Sequence, residues 1–136
     1  MSSTVEVPNL AHVITRYRFA YLMTTSPTGA PHAVAVAAVL HGGTLVVNDI
    51  GRCSRENALA RPAVGLVWPP HSDADYSLIV DGQAAVTGDS LRITPTRAVL
   101  HRSTRSAAPT GSGACDSDCV ELDLSLSSDR PMMRGI

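Results

Sequence analysis

Apolar and polar positions alternate with a period of two along much of the chain, a pattern typical of β-strands with one buried face. The longest alternation covers residues 76–87, where every second residue from Tyr76 to Val86 is apolar, aromatic or glycine. Another alternation covers residues 120–127, in which valine and leucine alternate with acidic residues and serine. Both segments are predicted to be strands that place one face on the core.

Shorter apolar segments bounded by turn residues predict the other strands, which comprise residues 21–25, 32–40, 44–48, 63–68 and 91–101. The segment 32–40 is nearly all alanine and valine, so we expect a strand buried on both faces. Gly42 and Gly43 predict a two-residue hairpin after it, and the sequence Pro27-Thr28-Gly29 predicts a turn before it. Pro95 favours an edge position or a bulge in the segment 91–101.

The helical pattern is confined to two short segments. Residues 8–17 carry an apolar stripe at the spacing i, i+3, i+4, i+7, and Pro8 suits a first helical turn. A second helix is predicted between Asp49 and Arg61, with Ser54 as its N-cap, Glu56 in its first turn and Pro62 at its end.

These elements predict a mainly β protein, a closed or nearly closed barrel of six to seven mostly antiparallel strands with two short helices. A doubly wound α/β sheet would need more helix. The predicted domain covers residues 1–101, and a flexible loop rich in glycine and serine covers residues 102–118. Residues 119–136 would then supply a terminal strand and tail of the same domain.

Composition excludes several classes of partner. The 136 residues suit one domain, and 11 arginines with no lysine are balanced by 12 carboxylates, so no nucleic-acid partner is expected. No apolar run approaches the roughly 20 residues of a membrane span, and the first residues lack the pattern of a signal peptide. We therefore expect a cytoplasmic protein with no membrane partner.

A candidate anion site lies where the second helix is predicted to begin. The segment 51–57 contains two arginines, a serine hydroxyl and an asparagine amide, carried by Arg52, Ser54, Arg55 and Asn57. Such side chains, with the free N–H groups of a helix start, form a site for a phosphate monoester. An ordinary capped surface helix with solvated arginines has the same pattern, and both interpretations stay open.

Three motifs follow one another in an informative order. The first is a hairpin with Thr25, Gly29, Pro31 and His32; the second is the segment with Arg52, Ser54, Arg55, Asn57 and Pro62; the third is a strand with Gly82 and Ala84. Over about residues 8–101 this order resembles the pyridoxamine 5′-phosphate oxidase-like family of split β-barrels. That family shares its fold with flavin reductases and deazaflavin-dependent reductases.

The resemblance implies a homodimeric FMN-binding oxidoreductase that transfers a hydride to or from a small molecule, with the cofactor in a groove between subunits. It implies that the cofactor phosphate is held by Arg52, Ser54, Arg55 and Asn57. It also implies that the flavin lies beside His32, Val34 and Val36, near the strand end at Asn48 and Asp49. No catalytic residue is implied. The oxidase's arginine and lysine on the strand 32–38, and its C-terminal substrate motif, have no match here, so pyridoxamine phosphate oxidation itself is not predicted.

Other functions remain open at this point. A deazaflavin coenzyme would suit the same scaffold, and a non-catalytic module that stores or senses a flavin or haem would suit it as well. Cys115 and Cys119 have a spacing used in metal sites, but two thiolates are half of a zinc site, and two exposed thiols in a loop are the simpler reading. No metal site is therefore predicted.

Overall fold

The computed structural model describes residues 10–72, 74–103 and 117–122, and for residues 103 and 117–122 the description is confined to the backbone. Its elements are α1 (Leu10–Ile14), β1 (Ala20–Thr25), β2 (Pro31–Val36), β3 (Ala38–His41), β4 (Thr44–Val47), α2 (Arg52–Ala60), β5 (Ala63–Trp68), β6 (Ser77–Thr87), β7 (Ser90–Ser103) and β8 (Ser117–Leu122). The strand pairs described are all antiparallel. The prediction of a mainly β protein is confirmed.

The strand order shows how the sheet curls. It runs β2-β1-β5-β6-β7-β4-β3, and β8 pairs with β7 off this path. The edge strands β2 and β3 are separated in the chain by Ala37 alone. Because consecutive Cα atoms lie about 3.8 Å apart, the two edges must come close together, so the sheet curls into a barrel-like form.

The predicted single strand 32–40 is therefore two strands that belong to opposite edges. Its side chains alternate between exposed and half-buried along β2 and β3. The expectation of burial on both faces was wrong, since the core lies on one side of this segment and no second layer of the described residues covers the other. An alanine–valine run does not reveal this difference, because its two faces have the same chemistry.

The core lies inside the curl and is made of aliphatic side chains with one tryptophan. Its largest fully buried members come from five strands: Leu22, Leu45, Val47, Leu66, Trp68, Leu78, Val80, Leu91 and Ile93. Each such side chain contributes about 1.5–3 kcal/mol when removed from water. Along β6 the buried residues, Leu78, Val80 and Gly82, lie on the face that the alternation predicted, and Ser77 and Ile79 on the opposite face are half-buried.

Turns and a bulge fall where the sequence predicted them. Gly42 and Gly43 both have positive φ, 56° and 84°, as a two-residue hairpin requires. In the β6–β7 pair, Asp81 lies opposite Arg97 but Gly82 lies opposite Pro95, so the bulge predicted near Pro95 is confirmed.

Both helices differ from their predicted bounds. Helix α1 covers only Leu10–Ile14, and the next turn has hydrogen bonds between residues three apart, such as Tyr17 N–H to Ile14 O at 3.0 Å. Residues 8 and 9 lie outside the described chain. Helix α2 begins at Arg52 with Gly51 as N-cap, so Ser54 is not the cap and Glu56 is not in the first turn. Within the described residues, neither helix is long and apolar enough to cross a membrane.

The predicted loop 102–118 is paired as strand at both of its ends. Strand β7 continues to Ser103, and β8 begins at Ser117 and pairs with β7 in the register Ser103↔Ser117. Residues 104–116 lie outside the described part of the chain, as does the predicted terminal strand beyond Leu122.

Candidate functional site

The N-terminus of α2 is held against the turn that joins β6 to β7. Asp49 has a φ of 57°, a left-handed conformation that turns the chain from β4 towards the helix. The N–H of Ile50 then donates to the carbonyl of Asp89 at 2.9 Å, and Ser90 Oγ donates to Asn48 Oδ1 at 2.7 Å. The turn therefore fixes the segment that leads into α2.

Two arginines, Arg52 and Arg55, lie in the first turn of α2. Arg55 Nε donates to the carbonyl of Gly88 at 2.8 Å, and its terminal nitrogens make no hydrogen bond to a described residue. Arg52 is exposed. Gly51 provides no side-chain cap, and a Cβ built on it would meet nothing within 4 Å, so the space in front of the first turn is open. Uncapped N–H groups with two cations form an arrangement that binds oxyanions.

The other two residues expected at the phosphate lie in the interior. Ser54 is 1% exposed and Asn57 is 7% exposed. Asn57 Nδ2 donates to Thr24 Oγ1 at 3.0 Å, which attaches α2 to β1. In this arrangement an anion at the helix start would contact Arg52, Arg55 and backbone N–H groups, while Asn57 holds the helix in place.

The β2 residues that the resemblance placed beside a flavin point towards the inside of the sheet. His32 lies opposite Thr24, and Val34 lies opposite Leu22. Val34 and Val36 pack against the core. A planar group on the outer face of β2 would therefore meet the strand backbone, Ala33 and Ala35, rather than these side chains.

Two buried nitrogens near this strand have no hydrogen-bond partner among the described residues, His32 Nδ1 and Arg61 Nη1. The other terminal nitrogen of Arg61 donates to the carbonyl of Pro27 at 3.2 Å. Both side chains pack beside the β1–β2 hairpin. The structure thus places four of the expected site residues near the helix start, Asn48, Asp49, Arg52 and Arg55, and two around Thr24, His32 and Asn57. The other three, Ser54, Val34 and Val36, face the interior.

The outer face of β1 and β2 is apolar and exposed. Tyr21 and Met23 on β1 are 41% and 38% exposed, and they lie opposite Ala35 and Ala33 on β2. Phe19 continues this surface and makes an edge-to-face contact with Tyr21, with 5.1 Å between ring centroids. We call this surface, made by Phe19, Tyr21, Met23, Ala33 and Ala35, the outer apolar face.

Sequence reasoning missed the contribution of the β6–β7 turn. Gly88 and Ser90 lie 33 and 42 residues away from the groups that they bond, Arg55 and Asn48. A glycine and a serine at a turn carry no local sign of such contacts. The contact between Asn57 and Thr24 was missed for the same reason.

The described part of the chain contains no cluster of cysteine or metal-binding side chains. No group of three or more His, Cys, Asp or Glu side chains there could hold a metal ion. Cys53 is an exposed free thiol in the first turn of α2. Cys115 and the side chain of Cys119 lie outside the described residues, so the hypothesis about that pair is not addressed.

Comparison with known proteins identifies the fold and the family. No family model matches the chain. The solved structures similar to it include an F420 reductase, with a TM-score of 0.51 and 18% identity over 59% of this chain and 87% of that one. They also include a putative pyridoxamine 5′-phosphate oxidase from Listeria innocua (TM-score 0.58, 14% identity, 68% of this chain and 95% of that one) and HupZ from group A Streptococcus (TM-score 0.58, 13% identity, 69% and 92%).

These likenesses confirm that the chain is a split β-barrel protein of the pyridoxamine 5′-phosphate oxidase-like fold. Its sequence is also 37% identical, over 136 aligned positions, to an uncharacterized protein of Mycobacterium bovis and to one of Mycobacterium tuberculosis. The alignment covers 88% of this chain and 96% of each relative. The chain belongs to the same family as these two mycobacterial proteins.

Proposed function

We propose that the protein is a flavin-dependent oxidoreductase that transfers a hydride between a bound FMN and a small molecule. The observation that carries the proposal is the open, uncapped start of α2 with Arg52 and Arg55 beside it. This donor set suits a phosphate monoester. The similarity in fold to an F420 reductase and to a putative pyridoxamine 5′-phosphate oxidase supports a flavin-type cofactor.

The chain's own residues would bind and orient the cofactor. Arg52 and Arg55 would neutralise the phosphate, and the Gly88 carbonyl would hold Arg55 in place for this task. When bound, the flavin supplies the hydride chemistry, and the protein supplies position and electrostatics. A dedicated acid or base residue is then not required, and we assign none.

A deazaflavin coenzyme is the second candidate, and the similarity to an F420 reductase is the observation that favours it. Such a coenzyme also carries an anionic tail, and the same open helix start with two arginines would suit it. Both cofactors therefore predict the same phosphate site and differ in the ligand that the purified protein carries.

The active form is proposed to be a homodimer. The outer apolar face leaves Tyr21 and Met23 exposed, and a second copy of the chain would remove these side chains from water. A cofactor groove between two such copies would be lined by the β2 backbone with Ala33 and Ala35. These small side chains would let a flat ring approach the strand closely.

The absorption spectrum of the purified protein, followed by mass spectrometry of the ligand that heat releases, tests the proposal. A band at about 450 nm and a released FMN are expected, whereas a single band at about 420 nm with a larger, multiply anionic ligand would select the deazaflavin. A colourless protein that takes up neither cofactor on titration would contradict both. A bound cofactor that no reductant turns over would indicate a non-catalytic binding module.

A further inference from the structure

A pocket of about 230 Å³ lies at the end of the sheet opposite to the start of α2. It is lined by α1 and the turn after it, by the segment before β6 and by β7: Val13, Arg16, Tyr17, His71, Asp75, Tyr76 and Leu100. Strand β6, 11 residues long, separates this pocket from the β6–β7 turn that supports Arg55. At about 3.3 Å per residue that is roughly 35 Å, so the pocket is not part of the proposed phosphate site.

Most polar groups in the pocket wall already have partners in the wall. Tyr17 Oη donates to the carbonyl of Tyr76 at 2.8 Å, and His71 Nε2 lies 2.8 Å from the carbonyl oxygen of Arg16. Asp75 Oδ2 accepts a hydrogen bond from Ser72 Oγ at 3.2 Å. The charged residues of the wall are the exposed Arg16 and Asp75, one of each sign, so the wall carries no net charge from this pair.

The remaining surface of the pocket is apolar and aromatic. Val13 and Leu100 are buried side chains that extend the barrel core to the pocket, and the rings of Tyr17 and Tyr76 pack against that core. The guanidinium carbon of Arg102 lies 4.7 Å from the centroid of the Tyr76 ring, which stabilises the ring's position. Burial raises the pKa of the Tyr17 hydroxyl, the positive charge of Arg16 partly opposes this rise, and the negative charge of Asp75 adds to the rise. The hydroxyl therefore stays protonated and keeps its hydrogen bond to the carbonyl of Tyr76.

We propose that this pocket binds a small, uncharged aromatic molecule of one or two fused rings. A volume of about 150 Å³ is enough for benzene, so the volume of about 230 Å³ in this pocket has room for a bicyclic ring system. Tyrosine rings favour offset or edge-on contact with another aromatic ring. A concave site with an apolar base and a few satisfied polar groups is the usual form of a small-molecule pocket. The site does not depend on the flavin proposal.

Titration of the full chain with indole, followed by NMR, tests this site. Indole is expected to give intermolecular nuclear Overhauser contacts to the methyl groups of Val13 and Leu100. Benzoate and benzylammonium are expected to bind at least about fivefold more weakly than indole, because each loses hydration on entering and meets a like charge in the wall, Asp75 or Arg16. The same titration in the presence of saturating FMN is expected to give the same indole affinity.

Variants with matched controls extend the test. Tyr76→Ala removes one aromatic wall and is expected to weaken indole binding about tenfold, the equivalent of one lost aromatic contact. Tyr17→Phe keeps the ring, and Tyr21→Ala removes an exposed tyrosine on the outer apolar face, so both are expected to retain the wild-type affinity. If Tyr76→Ala does not fold, the contacts to Val13 and Leu100 in the wild-type protein decide the question.

Three results would overturn the proposal. They are no indole binding at millimolar concentration, contacts from indole to residues outside the pocket, and tighter binding of benzoate or benzylammonium than of indole. None of them depends on whether the start of α2 holds a phosphate, so failure here and failure of the flavin proposal are distinguishable.

Discussion

Arg55 in α2 donates its Nε hydrogen to the carbonyl oxygen of Gly88 at 2.8 Å, and this bond joins the helix start to a turn 33 residues away. The bond uses the Nε hydrogen of the guanidinium and fixes the orientation of the group, so its two terminal nitrogens remain available to a ligand. An arginine held in this way loses less side-chain entropy when it binds a phosphate. The β6–β7 turn therefore supports the proposed cofactor site through its backbone carbonyls, those of Gly88 and Asp89.

Replacing both arginines should weaken FMN binding strongly. Charge-assisted hydrogen bonds are worth about 1.5–3 kcal/mol each, and the exposed Arg52 belongs at the lower end, so Arg52→Ala with Arg55→Ala should cost about 3 kcal/mol or more. That loss corresponds to a rise of at least about 100-fold in Kd, measurable by quenching of FMN fluorescence.

Riboflavin and a second double variant provide the controls. Riboflavin lacks the phosphate, so its affinity should change little in the Arg52→Ala, Arg55→Ala protein. Arg16→Ala with Arg18→Ala removes two exposed arginines that lie away from α2 and should leave FMN affinity unchanged. An unchanged FMN affinity in the first double variant would rule out the phosphate site.

The hydrogen bond between Asn57 and Thr24 should be structural. Because both side chains are buried, Asn57→Ala or Thr24→Val leaves its partner unsatisfied, and each should lower the free energy of unfolding by about 1–3 kcal/mol. Urea denaturation of the two single variants and the double variant measures this, and the double variant should lose less than the sum.

An exposed bond of the same type gives the comparison. Ser72→Ala removes the hydroxyl that donates to Asp75 and should change the free energy of unfolding by less than about 0.5 kcal/mol. If Asn57→Ala cost no more than Ser72→Ala, Asn57 would not be needed to hold α2 on the sheet.

The strands could be predicted from the sequence because a buried face shows in local alternation. Residues 76–87 alternate in chemistry, and the structure has β6 at Ser77–Thr87 with Leu78 and Val80 buried. The segment 32–40 lacks that alternation, so its division at Ala37 and its exposed face could not be predicted. Which edge of the sheet each half joins depends on pairing with β1 and β4, residues distant in sequence.

The candidate site could be predicted in composition and not in geometry. The segment 51–57 indicated an anion site, and the structure places Arg52 and Arg55 at an open helix start. The helix begins two residues before the expected cap, which turns Ser54 inward. Asn57 points inward as well because its amide donates to the hydroxyl of Thr24 on β1, 33 residues earlier in the sequence.

The β-bulge in β7, which lies opposite Asp81 and Gly82 of β6, should require glycine at position 82. A Cβ there would lie 2.6 Å from Ile93 Cγ2 and 2.6 Å from the carbonyl oxygen of Thr94, and the backbone cannot yield without moving β7. Gly82→Ala should therefore lower the free energy of unfolding by about 1–3 kcal/mol, as overpacked cores do. Thermal and urea denaturation measure the change.

Gly65→Ala is the matched control in the neighbouring strand. Its added Cβ would meet atoms no closer than 3.8 Å, an ordinary van der Waals contact. This variant should be nearly neutral or slightly stabilising, since alanine restricts the unfolded chain. Equal losses in Gly65→Ala and Gly82→Ala would mean that the close approach at position 82 does not determine stability.

Tyr17 should make stability fall at high pH. Burial raises its pKa above the ordinary value of 10.0, so between that value and the raised one the unfolded chain releases a proton that the folded chain keeps. The free energy of unfolding should decrease as pH rises from about 10 through the raised pKa. Urea denaturation at a series of pH values from 8 upward, roughly to 11.5, measures this dependence.

Tyr17→Phe isolates the contribution of this hydroxyl. The variant loses the hydrogen bond to the Tyr76 carbonyl, so it should be less stable at neutral pH by about 1 kcal/mol. Its free energy of unfolding should fall less between pH 10 and 11.5, roughly, than that of the wild-type protein. An identical decrease in both proteins would assign the pH dependence to other groups.

The outer apolar face should be the contact between two copies of the chain. A carboxylate placed there would have to be buried without a partner, so Met23→Glu should convert the dimer to a monomer at micromolar concentration. Light scattering after size exclusion measures the mass.

Gln83→Glu places the same charge on an exposed position of β6 and should stay dimeric. Because Met23 points away from the core, the Met23→Glu monomer should remain folded, and FMN affinity should fall with the loss of the partner. A wild-type protein that is monomeric at this concentration would contradict the interface, and a Met23→Glu dimer would place the interface elsewhere.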